Sequence, residues 1–115
     1  MDGYWILDEG RQAVQVDMPT WARFFENIEN RRVAWTEVAP GISVSTVFLG
    51  LNHAFGGGPP LLFETMCFDD YGEPVEPGME RYSTWAAAIA GHNDAVEQLL
   101  ERMGLPLPAM PVIGR

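Results

Sequence analysis

Apolar and polar positions along the chain alternate in short runs, broken by two stretches of helical period. Tyr4–Leu7 and residues 12–16 predict two short strands around the turn Asp8-Glu9-Gly10-Arg11. Asp17-Met18-Pro19-Thr20 reads as a helix start: proline suits the first turn, and the aspartate can accept from a free backbone N–H. Trp21, Phe24, Phe25 and Ile28 follow at i, i+3, i+4 and i+7, which predicts one apolar face of a helix running to about Asn30. Arg31 and Arg32 then suit the negative pole of that helix.

Residues 33–38 and 42–49 predict strands joined at Ala39-Pro40-Gly41, where proline presets φ and glycine permits a positive one. Residues 61–68 (LLFETMCF) are apolar on both faces apart from Glu64 and Thr65, as in a central strand. The acidic, breaker-rich segment 69–78 is a loop, and residues 79–82 are a short strand. Ser83 or Thr84 caps a second helix from Trp85 to about Met103, with Ile89, His92, Val96, Leu99 and Met103 on its core seam. Gly91 costs that helix about 1 kcal/mol relative to alanine. Gly104 ends it, and residues 105–115 form a proline-rich extended tail after a single domain spanning 1–104.

The fold class expected is α+β: an antiparallel meander of three to four strands covered by two helices, with an N-terminal hairpin. A chain of 115 residues fits one domain able to bury most of its apolar side chains in one core. Pairing Leu49 with Leu61 places Glu64 opposite Thr46.

Charge changes the picture of partners. Sixteen acids face seven bases, all of them arginine, for a net −9. The absence of lysine is explained by a GC-rich coding sequence. An acidic chain is unsuited to direct nucleic-acid binding and suited to docking on a basic protein surface. Cys67 is the single cysteine, so no intrachain disulfide and no CxxC zinc pair exist, and a reducing compartment is expected. No signal pattern or run of about 20 apolar residues is present, so the expectation is a soluble, cytoplasmic protein with no membrane partner.

Antiparallel order sorts the connections onto two ends. One end carries Asp69, Asp70, Glu73 and Glu76, candidates for a protein partner. The other carries the loop of LGLNHAFGGGPPLLFETM (49–66), with Arg31, Arg32, His53, Arg81 and the start of the second helix. Gly56, Gly57 and Gly58 would let backbone amides approach a ligand, and a helix start attracts anions. His53, Gly56, Gly57, Gly58, Glu64, Arg81, Ser83 and Thr84 are therefore candidates for an anion pocket, read against the simpler view that GGGPP only makes a wide turn. No phosphate-loop or dinucleotide fingerprint is present. Glu64 in an apolar strand needs a partner such as Arg81 or an open face. His92 reads as a core residue bonded to a carbonyl. A His53/Glu64/His92 metal site lacks ligand spacing such as HExxH, so no metal, cofactor or catalytic residue is assigned.

Two blocks, VSTVFLGLNHAFGGGPPLLFETMCF (44–68) and ERYSTWAAAIAGH (80–92), with TWARFFENIENRRVAWTEV before them, resemble a group of small phage and prophage proteins of unassigned function. Their shared pattern runs GL-[DN]-H, a glycine run, GPPL-[LI]-FETM-x-F, an acidic or glycine-rich insert, then RYST and a helix with GH. The resemblance spans about residues 4–100 and carries no catalytic residue. Many members have aspartate where Asn52 stands, so a metal or base role there would be weakened in this chain. It implies a phage accessory protein, and small acidic ones often inhibit host machinery, in the manner of anti-CRISPR and other anti-defence proteins. A binding protein that inhibits a host protein or nucleoprotein is the first expectation. A small-ligand binder for a nucleotide or other anion, a virion or assembly accessory, and an enzyme using His53 and Glu64 follow. Exposed Trp5 or Trp85, or the tail, could support a homodimer.

Overall fold

The computed structural model describes residues 3–107. Strands β1 (Tyr4–Leu7) and β2 (Ala13–Val16) form an antiparallel hairpin. Asp8 builds its turn: the carboxylate accepts from the Gly10 and Gln12 amides, both at 2.9 Å, and its carbonyl accepts from the Arg11 amide. Helix α1 (Met18–Glu26) starts as expected, with the Asp17 side chain accepting from the Thr20 amide at 2.9 Å. It stops four residues short of the predicted end. Asn27 leaves helical geometry, and its side chain caps a separate 3-10 turn, Ile28–Asn30. Asparagine competes for backbone N–H groups in this way, which is why it interrupts helices. Ile28 consequently leaves the apolar face and stands 56% exposed.

Strands β3 (Arg32–Ala39), β4 (Ile42–Phe48), β5 (Phe63–Phe68) and β6 (Glu80–Tyr82) pair antiparallel in that order, the meander expected. Helix α2 (Trp85–Met103) lies across all four, capped by Thr84 and ended by Gly104 at φ 68°. Helix α1 packs on β1 and reaches the sheet through Phe24 and Phe25 against Phe48. The α2 seam is rotated from the expected one: Ala88, His92, Ala95, Val96, Leu99 and Leu100 are buried, whereas Met103 is exposed. Beyond α2, residues 105–107 are exposed, and the rest of the predicted tail lies outside the described residues.

The β4–β5 register differs by one residue from the Leu49–Leu61 pairing. Glu64 stands opposite Val47, and Thr46 opposite Thr65. The physical reason is the side-chain alternation. Val44, Thr46 and Phe48 face α2, so pairing Glu64 with Thr46 would drive a carboxylate into the core. The observed register turns Glu64 to the face without a helix and puts Thr65 beside Thr46 instead.

The interior is two apolar clusters rather than one. Val33, Ala34, Phe48, Leu62, Phe63 and Ala88 form the first, Val44, Cys67, Ala95, Val96, Leu99 and Leu100 the second. Between them runs a polar belt. His92 is fully buried, with Nε2 at 2.8 Å from Thr36 Oγ1 and Nδ1 at 2.8 Å from Thr46 Oγ1. Thr46 Oγ1 lies 2.6 Å from Thr65 Oγ1, and the Tyr82 phenol lies near Thr65. Strands β3, β4 and β5 thus each give one hydroxyl to a chain that His92 ties to α2.

Tyr82 also explains Gly91. Its phenol occupies the space where a side chain at 91 would begin, so any Cβ there overlaps the ring. Gly91→Ala should therefore lower stability despite alanine's better helix propensity. The expected loss is about 1–3 kcal/mol in urea denaturation. The double variant Gly91→Ala/Tyr82→Leu should lose less than the sum of its parts. Strictly additive losses would refute the contact.

Candidate functional site

The acidic end is a built loop. The Asp69 carboxylate accepts from the Tyr71 and Glu73 amides at 2.9 and 3.0 Å, and Gly72 N–H returns to the Asp69 carbonyl. A bridge between Phe68 and Pro74 closes the base. Asp70 lies against Gly41, leaving no room for a side chain there, and the Gly41 amide is bonded to Glu37 at 3.3 Å. Glu73 and Glu76 are exposed. With Asp69 spent on the loop and Glu37 bonded to Gly41, the carboxylates of Asp70, Glu73 and Glu76 belong to this end as well. The basic side chain on the adjoining last turn of α2 is Arg102. Among these acids Tyr71 projects with 88% of its surface exposed.

The opposite end separates the candidate anion pocket into parts. Arg81 pairs with Glu64 on the open face of the sheet, Nε to Oε2 at 3.1 Å, both side chains partly buried. Glu64 thereby has the partner its strand position demands. His92 belongs to the core belt on the other face, and it bonds hydroxyls rather than the carbonyl expected. Burial without a counter-charge pushes its pKa down from 6.5 to about 4. His53, Glu64 and His92 are therefore not brought together, and among the described residues no three His, Cys, Asp or Glu side chains are placed to hold a metal ion. Cys67 is buried in the second cluster, and burial raises its thiol pKa, the reverse of nucleophile activation.

Within the loop 49–62, Asn52 does the organising. Its Oδ1 accepts from the Ala54 and Leu61 amides at 2.8 and 3.0 Å, clamping the two ends of the glycine segment. An aspartate could accept the same two bonds, so an Asn/Asp alternation here needs no catalytic explanation. His53 Nδ1 donates to the Leu51 carbonyl at 2.9 Å. Gly56, Gly57 and Gly58 are exposed, the latter two at φ 88° and 85°. Phe55, next to them, is 89% exposed.

Ser83 and Thr84 line a cleft of about 530 Å³ at the start of α2, but not with Arg81 or the glycines. Arg11 is the cation there, its guanidinium 4.7 Å above the Trp85 ring. Arg11 is the one described non-glycine residue with positive φ, 63°. The Asp8-Glu9-Gly10-Arg11 turn was legible, but nothing in its spacing says that a residue from the hairpin meets the α2 N-terminus. The Thr84 hydroxyl is already used as the cap, accepting from the Ala87 amide at 3.1 Å. Chemically this cleft can receive an anion at Arg11 and the first-turn amides of α2.

No helix among the described residues is long and apolar enough to cross a membrane. No family model, curated protein or solved structure matches this chain.

Proposed function

We propose that the protein is a small acidic binding protein of phage type that inhibits a host protein or nucleoprotein by docking its 69–78 end onto a basic surface. The observation that carries this reading is Tyr71, almost wholly exposed on an acidic loop that is held by the Asp69 bonds and also carries Asp70, Glu73 and Glu76. Tyrosine is enriched among interface residues that dominate binding energy. A loop already braced by its own hydrogen bonds gives up little entropy on docking. The surrounding carboxylates steer it toward a basic partner and make the association salt-sensitive. The net charge of −9 and the resemblance to phage accessory proteins agree with this reading.

The test is a pull-down from host lysate with three baits: wild type, Tyr71→Ala, and Asp70→Lys/Glu73→Lys/Glu76→Lys. A basic protein should be retained by wild type, elute as salt rises, and be lost from the charge-reversed bait. Tyr71→Ala should weaken it by roughly tenfold or more, as hot-spot truncations do. Capture that is indifferent to both variants would remove the acidic end from consideration.

A further inference from the structure

On the sheet face opposite α2 the geometry begins with a bulge. Arg32 and Trp35 are three apart, so an unbroken strand would send them to opposite faces. The β3–β4 register slips between Arg32 and Ala34: Arg32 faces Val47, Ala34 faces Thr46 and Trp35 faces Ser45. Val33 and Ala34 are both buried as a result, and Arg32 is turned onto the open face beside Trp35. Bulges of this kind re-aim side chains and are common beside binding sites.

Arg31 completes the group. Its guanidinium stacks over Phe25 at 5.5 Å, and Phe25 in turn stacks on the core residue Phe48. Its Nε is buried with no hydrogen-bond partner, and among the described residues it has no carboxylate. Arg32 meets Glu29 at 3.6 Å, with both side chains about half exposed, so its guanidinium reaches the surface. Trp35 is 54% exposed and Ile28 56%. Together Arg31, Arg32, Trp35, Ile28, Ser45 and Val47 line a cleft of about 360 Å³, within the range of small-molecule sites.

We infer that this cleft binds a small ligand made of a flat apolar body carrying a phosphate or carboxylate. The body lies on the exposed Trp35 ring, and the anion takes the fork of Arg31 and Arg32 with the Ser45 hydroxyl beside it. Guanidinium groups match both anions bidentately, and the indole accepts any planar partner. This lies beyond the docking of the acidic end, which uses other residues at the other end of the sheet.

Calorimetric titration of the whole chain with adenosine monophosphate, 1-naphthoate, inorganic phosphate and adenosine tests it. At least one of the two compounds that join a ring to an anion should bind more tightly than phosphate or adenosine. Trp35→Ala and Arg32→Gln should each weaken that binding by about tenfold, equivalent to about 1.4 kcal/mol. Trp35 is 54% exposed and the Arg32 side chain 47%, so both variants should still unfold cooperatively, which urea denaturation checks. Arg31→Gln should weaken binding as well, whereas Arg11→Ala should leave it unchanged. The inference fails if neither compound binds at millimolar concentration, or if binding survives Trp35→Ala and Arg32→Gln. It also fails if binding is lost in Arg11→Ala, which would move the site to the start of α2.

Discussion

Replacing Gly50 with alanine should cost about 3 kcal/mol of stability, whereas the same change at Gly57 should cost about 1 kcal/mol. Both glycines sit in left-handed backbone, φ 73° and 88°, where an L-residue is strained. Their surroundings differ. A Cβ on Gly57 meets open space, so only the backbone term applies. A Cβ on Gly50 overlaps the Phe25 ring and the Trp21 indole, adding an overpacking term of about 1–3 kcal/mol. Those rings belong to a stack running from Tyr4 through Trp21 and Phe25 to Phe48, so they cannot retreat without disturbing the first cluster. Gly50 is also a joint: its carbonyl accepts from the Trp5 amide at 3.0 Å, tying the hairpin to the sheet. Urea denaturation of the two variants side by side checks this. Equal midpoints would mean that the aromatic wall gives way freely. The glycine that matters most for stability in LGLNHAFGGGPP is then the one before the triplet.

The elements were legible because their signals are local. Asp17 and Thr84 announce helix starts, Gly104 a helix end, and Pro40-Gly41 a turn, each through the hydrogen bonds or φ angle that the residue itself supplies. The end of α1 was also local in origin, but periodicity favoured Ile28 and concealed the capping side chain of Asn27. Register was not legible. LGLNHAFGGGPPLL offers several closures differing by one residue. The choice among them depends on which face α2 covers: the observed register keeps Glu64 off that face and brings Thr46, Thr65 and His92 together in the interior, a meeting of three elements distant in sequence. The partner of Glu64 could be anticipated because a carboxylate in an apolar strand demands one, and Arg81 stands opposite it on the neighbouring strand. The Arg32–Trp35 pairing could not, because a bulge reverses what alternation predicts. Tyr71 and Phe55 escaped notice for a plainer reason: exposure of an aromatic in a loop has no signature in the residues around it.

Stability should rise by about 3 kcal/mol between pH 4 and pH 6.5 on account of His92 alone. The native pKa is about 4, below the ordinary 6.5 of the unfolded chain, so across that interval the unfolded state holds a proton that the native state refuses. Acid therefore favours unfolding, and from about one pH unit above 6.5 the contribution is flat because both states are neutral there. The cause is burial. The ring's two partners are the Thr36 and Thr46 hydroxyls, which can satisfy either neutral tautomer but bring no negative charge to offset an imidazolium. Asp17 also favours the fold through its bond to Thr20, but its pKa is lowered from 3.8, so its effect is lost below the His92 interval. Urea denaturation from pH 4.5 to 7.5, run on wild type and His92→Leu, isolates the term, since contributions from the surface carboxylates are common to both. The variant should lose most of the slope. It should also be less stable at pH 7, because Thr36 and Thr46 each lose the ring nitrogen they now bond. An unchanged slope in the variant would mean that the ring is solvated or charged in the native state. In that case the polar belt between the two clusters would be open to water rather than sealed beneath α2.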